Sequence, residues 1–312
     1  MLNLNSKKFA ENAADCLYDL KSLDIPKENA IASIHEEIEN LLSLNEHETL
    51  VGRHSHFNIP GTEIQDYEEH FYEIDSGKNI LAGIRHKGGD IQMPFVHTLM
   101  GFDPTNSDII DIIKFSRQQF KKFNPRFVSI WIKPSLKIDF SKVTATQSRQ
   151  YVVGSISEIK KMKKPANFDI IKIEKVTSGF DFDWYTKAYA EFHEKQPNLK
   201  TWVPITDNED IERAITDQLM YRVLVNEKLA GIIAAHDQPL LNKKSAYMVE
   251  LLLTNRFKNQ GLAPAFQRKF IETLSNDFNF IWGTIDAKNQ PSLKTALRVG
   301  RIPIRSEYFI EL

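Results

Sequence analysis

The sequence has 312 residues, with 40 Lys and Arg against 41 Asp and Glu, a single cysteine and 42% hydrophobic residues. At roughly 100–200 residues per domain, this length predicts two domains, each able to bury its own core. The balanced charge argues against a nucleic-acid surface, the lone Cys16 excludes an intramolecular disulfide, and no apolar run approaches the roughly 18–20 residues of a membrane span.

The first half of the chain reads as helices followed by strands. Apolar residues recur at helical spacing between Phe9 and Leu20 and between Ile31 and Leu42, and Pro26 separates the two patterns. The turn Ser76-Gly77-Lys78-Asn79 lies between two strand-like segments, 70–75 and 80–85, and predicts a hairpin. Further along, the pattern predicts a strand at 95–99, a helix at 109–123, a strand at 127–132 and a closing strand at 151–156.

A charged stretch in the middle of the sequence predicts a solvated linker that ends at Pro165. Beyond it the same order of elements returns. We expect a strand at 170–174, helices at 182–194 and 209–218, strands at 220–225, 229–235 and 247–253, a helix at 265–274, a strand at 280–285, a helix at 291–299 and a final strand at 307–311.

The tetrapeptide Leu-Ala-Gly-Ile occurs at 81–84 and again at 229–232, after a hairpin turn both times. Together with the repeated order of elements, this favours a duplicated α/β domain. We therefore predict domains at 1–157 and 168–312, joined by a linker at 158–167. The alternative is chance similarity between short apolar strands.

The segment with the clearest chemical meaning joins the strand 247–253 to the helix that follows. Pro264 fits the first turn of that helix, and Gly261 and Ala263 permit close approach to the backbone. The free N–H groups of 259–263 would converge at the positive end of the helix dipole, which is a cradle for a pyrophosphate. An ordinary strand–loop–helix with a glycine turn is the alternative.

This segment resembles motif A of the GCN5-related N-acetyltransferases, Arg/Gln-x-x-Gly-x-Gly/Ala, as Lys258-Asn259-Gln260-Gly261-Leu262-Ala263. A second signature follows, with Asn289 at the start of the next helix and Gly300 at its end. The resemblance covers about 168–312 well, and 60–157 only in element order. It implies an α/β fold of two mixed β-sheet domains flanked by helices.

The resemblance also implies that the carboxyl-terminal copy binds acetyl-CoA between strands 248–254 and 280–285. The residues expected to contact it are Leu252, Leu253, Thr254, Lys258, Asn259, Gln260, Gly261, Leu262, Ala263 and Asn289. The amino-terminal copy has Asp103 where the cradle would lie, so we expect it to be degenerate and to leave the cofactor to the other copy.

Glu250 is the best candidate for the general base, since it is the only charged residue in the apolar run 247–253. An unpaired buried carboxylate is costly, so its pKa should rise towards the range that suits a base near neutral pH. A glutamate paired with a neighbouring Lys or Arg, or facing solvent, is the alternative. Ala296 stands where many family members hold the tyrosine that protonates the leaving thiolate, so Tyr308 or Tyr247, or solvent, would take that role.

The acceptor is expected to be a small-molecule or peptide amine, contacted by Trp202, His236 and Asp286. His236 and Asp286 lie at strand ends and are also alternative bases. We expect no metal, no nucleic-acid or membrane partner, and a cytoplasmic monomer or homodimer, since the amino terminus shows no signal-peptide pattern.

The preferred interpretation is an acetyl-CoA-dependent N-acyltransferase in which the amine attacks the thioester directly. Two others stay open: an aminoacyl transferase resembling the Fem proteins, against which the neutral charge argues, and a non-catalytic module that senses CoA or a metabolite, which Ala296 permits.

Overall fold

The computed structural model describes residues 5–21 and 23–312. The helices are α1 Ser6–Leu17, α2 Lys27–Leu42, α3 His47–Phe57, α4 Asn106–Gln119, α5 Ile156–Lys161, α6 Phe182–Lys195, α7 Asn208–Thr216, α8 Ala263–Thr273 and α9 Gln290–Arg298. The strands are β1 His70–Glu73, β2 Asn79–His86, β3 Pro94–Met100, β4 Phe127–Ile132, β5 Ala145–Ser155, β6 Ile171–Lys175, β7 Met220–Val225, β8 Lys228–Asp237, β9 Ser245–Leu253, β10 Phe280–Asp286 and β11 Ile302–Glu311. Within the described part of the chain, each helix is too short or too polar to span a bilayer.

The chain forms two compact units. Unit 1 runs to Arg149 and also contains Ile304–Leu312, and unit 2 is Gln150–Pro303. The final strand was expected to close the carboxyl-terminal domain, but it lies in unit 1, where β11 pairs antiparallel with β4. The reason is burial, since Ile304 and Ile310 of β11 are fully buried.

Unit 1 contains a sheet in the order β1-β2-β3-β4-β11, antiparallel except for β3 and β4, which are parallel. The predicted hairpin is present, with Gly77 N–H donating to the Ile74 carbonyl in its turn. One face of the sheet packs in a core with α4 through residues such as Ile84 and Ile112. On α1, the Phe9 ring packs at a tilt against the Phe71 ring of β1, with centroids 5.1 Å apart.

Unit 2 contains a sheet in the order β5-β10-β9-β8-β7-β6, to which β5 contributes its residues from Gln150 onward. Strands β6 to β9 are antiparallel neighbours, and β10 runs parallel to β9. Phe266 and Phe270 of α8 pack on one face of this sheet. Tyr185 of α6 and Ile211 of α7 pack in a second core, which includes Ile232 of β8.

The stretch expected to be a solvated linker, 158–167, overlaps the second part of helix α5. Ile156 and Ile159 are buried, at 2% and 1% exposure, because they join the core beside α8. The guanidinium group of Arg268 donates hydrogen bonds to the carbonyls of Ile159 and Lys160. The charges of this segment are thus the outer face of a short amphipathic helix that packs on unit 2.

Candidate functional site

Strands β9 and β10 begin as a parallel pair and then part. They pair at Phe280–Ser245, Ile281–Ala246 and Trp282–Tyr247, and at no later position. The gap between residues 248–253 of β9 and residues 283–286 of β10 is called the fork here. A fork between parallel strands leaves backbone N–H and C=O groups without a strand partner, so it can bind an extended ligand by backbone hydrogen bonds.

The register of β9 determines which of its amides face the fork. Thr254 N–H donates to Ala230 O on β8, and the Leu252 carbonyl oxygen would lie 1.9 Å from a Cβ atom built on Gly231 of the same strand. Because backbone groups alternate along an antiparallel strand, the polar backbone of Leu253 faces the fork and that of Leu252 faces β8. Of the two leucines expected to contact the donor, Leu253 is therefore the better placed.

After β9 the chain makes a turn, residues 259–263, called the amide turn here. Asn259 and Gly261 have left-handed backbone conformations, with φ of 62° and 69°. A Cβ atom built on Gly261 would meet nothing within 4 Å, so the turn is open. The N–H groups of Gly261, Leu262 and Ala263 donate to no acceptor in residues 5–21 and 23–312. Since α8 begins at Ala263, these N–H groups lie at the positive end of its dipole and suit an anion.

The polar side chains around the amide turn are held in place locally. The Lys258 Nζ lies 3.6 Å from the centroid of the Phe192 ring, and burial, followed by the charge of Lys195, lowers its pKa to about 8. Gln260 Nε2 donates to the Arg256 carbonyl at 2.8 Å, so this side chain folds back onto its own loop.

Asn289 begins α9, as the sequence predicts, and its side chain accepts a hydrogen bond from Ser292 N–H at 3.3 Å. Its oxygen is therefore used to cap the helix. Thr254, at the end of β9, donates from its hydroxyl to Ala230 O at 3.3 Å.

A β-bulge in β9 determines which way Glu250 points. On β8, Ala234 pairs with Glu250 and Ala235 pairs with Met248, which leaves Val249 without a partner. In a regular strand, Glu250 would point to the same side as Met248, towards α8. The extra residue places Val249 and Glu250 together on the side that faces α6.

Glu250 is buried, at 6% exposure, among hydroxyl groups. Tyr185 and Tyr189 of α6 both donate to its Oε2, and Thr206 Oγ1 lies 3.3 Å from the same oxygen. Burial raises the pKa of Glu250, and these hydrogen bonds oppose the rise. Burial, followed by the Glu250 charge, raises the pKa values of both tyrosines above their usual range, so they stay protonated donors.

The sequence analysis did not predict the hydrogen-bond partners of Glu250. The spacing of four between Tyr185 and Tyr189 puts both hydroxyls on one face of α6, and that spacing was the available signal. Neither alternative reading of Glu250 applies within the described residues, because it is buried and forms no ion pair there.

The residues expected at the acceptor site have separate environments in unit 2. Trp202 is partly buried, and the Lys288 Nζ lies 3.8 Å from the centroid of its indole. Asp286, at the end of β10, is also partly exposed and accepts from Lys288 N–H. His236 is only 2% exposed and its Nε2 is 2.9 Å from the Asp210 carbonyl, so it is a buried residue that holds α7 against β8. Trp202 and Asp286 are therefore linked through Lys288, and His236 is not part of that group.

Tyr308 is not a residue of unit 2. It lies on β11 in unit 1, where its ring stacks on Phe140 at 5.0 Å and packs in the core of that unit. Within unit 1 the pairing of β11 with β4 gives Tyr308 a packing role, and its assignment as a proton donor stays a prediction. Tyr247 is better placed, since it is the last paired residue before the fork and its Oη lies 2.9 Å from Thr284 Oγ1.

Ala296 is completely buried in α9 and offers no hydroxyl group. Among residues 5–21 and 23–312, no three His, Cys, Asp or Glu side chains lie together as ligands for a metal ion.

No family model matches the sequence, and no similar sequence was found among curated proteins. A GCN5-related N-acetyltransferase from Sphaerobacter thermophilus is similar in fold, with 11% identity and a TM-score of 0.49 over 81% of this chain and 83% of that one. A GNAT-family acetyltransferase from Colwellia psychrerythraea has 10% identity and a TM-score of 0.47, covering 84% and 95% of the two chains. A tandem GNAT protein from the clavulanic acid biosynthesis pathway has 10% identity and a TM-score of 0.40, covering 75% and 78%.

At these identities the likeness concerns the fold alone. The α/β class with mixed sheets and flanking helices, expected from the sequence, is confirmed. The solved structures with a similar fold include several that bear the name of the family the sequence resembles, the GCN5-related N-acetyltransferases.

Proposed function

We propose that unit 2 is an N-acyltransferase that moves an acyl group, most simply acetyl, from acyl-CoA to an amine. The observation that carries this proposal is the arrangement at the carboxyl end of β9. The fork opens along the second half of β9, the amide turn follows a few residues after the strand, and Glu250, on the fork segment of β9, is buried with its carboxylate facing α6. Ligands of sheets with parallel strands commonly bind at this edge.

The residues of unit 2 fit a nucleotide thioester. The N–H groups of Gly261, Leu262 and Ala263 have no competing acceptor in the described chain, and they suit the diphosphate. Lys258 adds a cation beside the turn. The fork-facing backbone of Leu253 suits the amides of the pantetheine arm. When bound, the donor supplies an acyl carbon attached to a good thiolate leaving group.

Glu250 has the properties of the base that this reaction needs. An alkylammonium has a pKa of about 10, so the attacking nitrogen must lose a proton at neutral pH. Glu250 accepts that proton, the nitrogen bonds to the acyl carbon, and the carbon–sulfur bond breaks. The thiolate takes its proton from solvent or from the Tyr247 and Thr284 hydroxyl pair beside the fork.

The side chains of Tyr185, Tyr189 and Thr206 fix Glu250 through one oxygen. The Leu251 N–H also bonds the Glu250 carboxylate. The other oxygen, Oε1, accepts no side-chain hydrogen bond from the described residues and is the one that we assign to the proton. For the acceptor, the partly exposed Asp286 carboxylate suits a cationic amine before it is deprotonated, whereas the Trp202 ring already carries the Lys288 ammonium group.

The direct test is release of free thiol from acetyl-CoA in the presence of an amine panel of polyamines, amino acids, aminoglycosides and lysine peptides. The proposal expects release that depends on one class of amine and is lost in Glu250→Gln. Glu174→Gln, an exposed glutamate of β6, is the matched control.

Binding of acetyl-CoA without thiol release from any amine would instead favour a sensing module. The buried Ala296 at the usual acid position is the observation that keeps that second reading open.

A further inference from the structure

Unit 1 has its own buried carboxylate, Glu69, on the segment that leads into β1. The Glu69 side chain has no exposed surface. Its backbone is held at two points by one side chain, because Asn45 Oδ1 accepts from Glu69 N–H at 2.6 Å and Asn45 Nδ2 donates to Glu69 O at 2.8 Å. Such fixation by a second residue is typical of a functional group that must stay in one orientation.

The carboxylate of Glu69 lies directly over Gly83 of β2. A Cβ atom built on Gly83 would overlap both carboxylate oxygens. The glycine at this position of the strand therefore provides the space that the carboxylate occupies, which explains why a glycine is tolerated in the interior of a strand.

The ion pair of Glu69 is incomplete. Arg85 Nη1 donates to Glu69 Oε1, and Arg53 Nη1 lies 3.6 Å from the same oxygen. Buried arginine–carboxylate pairs often form two parallel hydrogen bonds, which use two guanidinium nitrogens and both carboxylate oxygens. Here Glu69 Oε2 and Arg85 Nη2 are buried, and each lacks a hydrogen-bond partner among residues 5–21 and 23–312. An acceptor and a donor of the same ion pair are thus left without a partner.

A third unsatisfied atom belongs to a residue of the neighbouring strand, β3. His97 of β3 pairs with Gly83, so its ring is on the same face as the Glu69 carboxylate. Its Nδ1 is buried and has no partner in the described chain. Burial, followed by the charge of Arg85, lowers the pKa of His97 to about 3, so the ring is neutral and can donate or accept.

Two arginines face one glutamate in this cluster, which leaves one positive charge in excess. Glu37 does not balance it, because its carboxylate is already bonded to both terminal nitrogens of Arg305. The Arg85 side chain is 22% exposed, so the cluster has a route to solvent. A ligand that satisfies all three atoms must bring an anion for Arg85 and an N–H or O–H donor for Glu69.

We propose that unit 1 contains a binding site for a small amino- or hydroxy-carboxylate, with the ligand carboxylate on Arg85 Nη2, its N–H or O–H on Glu69 Oε2, and His97 Nδ1 as the third contact. The site is independent of the transfer proposed for unit 2, and it gives unit 1 a ligand of its own.

The test uses four related probes with the full chain: glycine, glycolate, acetate and methylamine. The readouts are the NMR signals of the His97 ring and the thermal unfolding midpoint. Glycine or glycolate should shift the His97 signals and raise the midpoint with a Kd below about 10 mM, whereas acetate and methylamine, which each lack one half of the pattern, should bind at least tenfold more weakly.

Three variants and a control separate ligand binding from a structural ion pair. Glu69→Gln and Gly83→Ala should weaken the binding of glycine or glycolate at least tenfold in Kd. Arg85→Lys, which keeps the charge but removes Nη2, should weaken it as much, and this variant is the test that remains if either of the others fails to fold. Glu68→Gln, which changes the neighbouring glutamate paired with His70, should respond as the wild type does. The proposal would be overturned if none of the four probes shifted the NMR signals of the His97 ring of the wild type at concentrations above about 10 mM. A response that persists in Glu69→Gln and Arg85→Lys would overturn it as well.

Discussion

Glu250 is a residue whose burial was predictable and whose partners were not. A single charge inside an apolar run predicts a buried carboxylate, and Glu250 is 6% exposed, with burial as the cause that raises its pKa. Its hydrogen-bond partners come from positions 65, 61 and 44 residues away in the sequence. Such contacts depend on how α6 packs on the sheet, which a local pattern does not encode.

Replacement of Glu250 by Gln should lower kcat/KM for acyl transfer by about 10² to 10⁴, because the general base is lost while the side-chain volume is kept. The pH profile gives a second readout. The base works only when ionised, so wild-type activity should fall as the pH drops through the pKa of Glu250, which burial raises above its ordinary 4.5.

This acidic limb should be missing in Glu250→Gln and present in the Glu174→Gln control. The measurement is kcat/KM as a function of pH with a saturating acceptor. Retention of both the rate and the acidic limb in Glu250→Gln would show that another group accepts the proton.

At the scale of elements, the amide turn and the fork differ in how far the sequence could predict them. Gly261, Ala263 and Pro264 predict the turn locally, because they specify a left-handed residue, a close approach and a first helical turn. The fork and the bulge at Val249 arise from the register between strands distant in sequence. Alternating hydrophobicity could not show either, since the run 247–253 is apolar on both faces.

Gly261→Glu should weaken acetyl-CoA binding by about 3 kcal/mol or more, roughly 150-fold in Kd, because a carboxylate would lie where the diphosphate is expected. The matched control is Gly179→Glu, since Gly179 has φ of 63° and equally open surroundings in a loop of unit 2. Both variants carry the same left-handed strain of about 1 kcal/mol, so their unfolding free energies should be similar.

Isothermal titration calorimetry with acetyl-CoA measures the difference between the two variants. Equal affinities in Gly261→Glu and Gly179→Glu would exclude the amide turn as the diphosphate site, even if the protein binds acetyl-CoA elsewhere.

For the whole molecule, the order of elements was predictable but their division into units was not. Two strands were each expected to be the last strand of their own domain, β5 in the amino-terminal one and β11 in the carboxyl-terminal one. Instead, β11 belongs to unit 1 from Ile304 onward, and β5 belongs to unit 2 from Gln150 onward. The two strands are 11 and 10 residues long and mix polar with apolar side chains, so their local patterns do not indicate which half each strand joins. The linker prediction was wrong from Glu158 to Lys161 for a related reason, since Ile156 and Ile159 suffice to pack a helix whose other residues are mostly charged or polar.

Truncation of the chain after Pro303 tests this division. Unit 1 would lose Ile304 and Ile310, each contributing about 2 kcal/mol of burial, and the Arg305 partner of the Glu37 carboxylate. Hydrogen exchange should show lost protection in α4 of unit 1, with protection in α8 of unit 2 largely kept. Loss of protection in α8 but not in α4 would mean that β11 stabilises the carboxyl-terminal half, as the order of elements in the sequence suggested.

The central claim is that the amides of residues 261–263 bind the diphosphate of a nucleotide thioester, and an amide chemical-shift titration of the full chain with acetyl-CoA tests it most directly. The N–H signals of Gly261, Leu262 and Ala263 should move first and furthest, and S-acetylpantetheine, which lacks the diphosphate, should leave them nearly unchanged. Saturation with acetyl-CoA that leaves these three signals in place, or shifts them no more than S-acetylpantetheine does, would contradict the account.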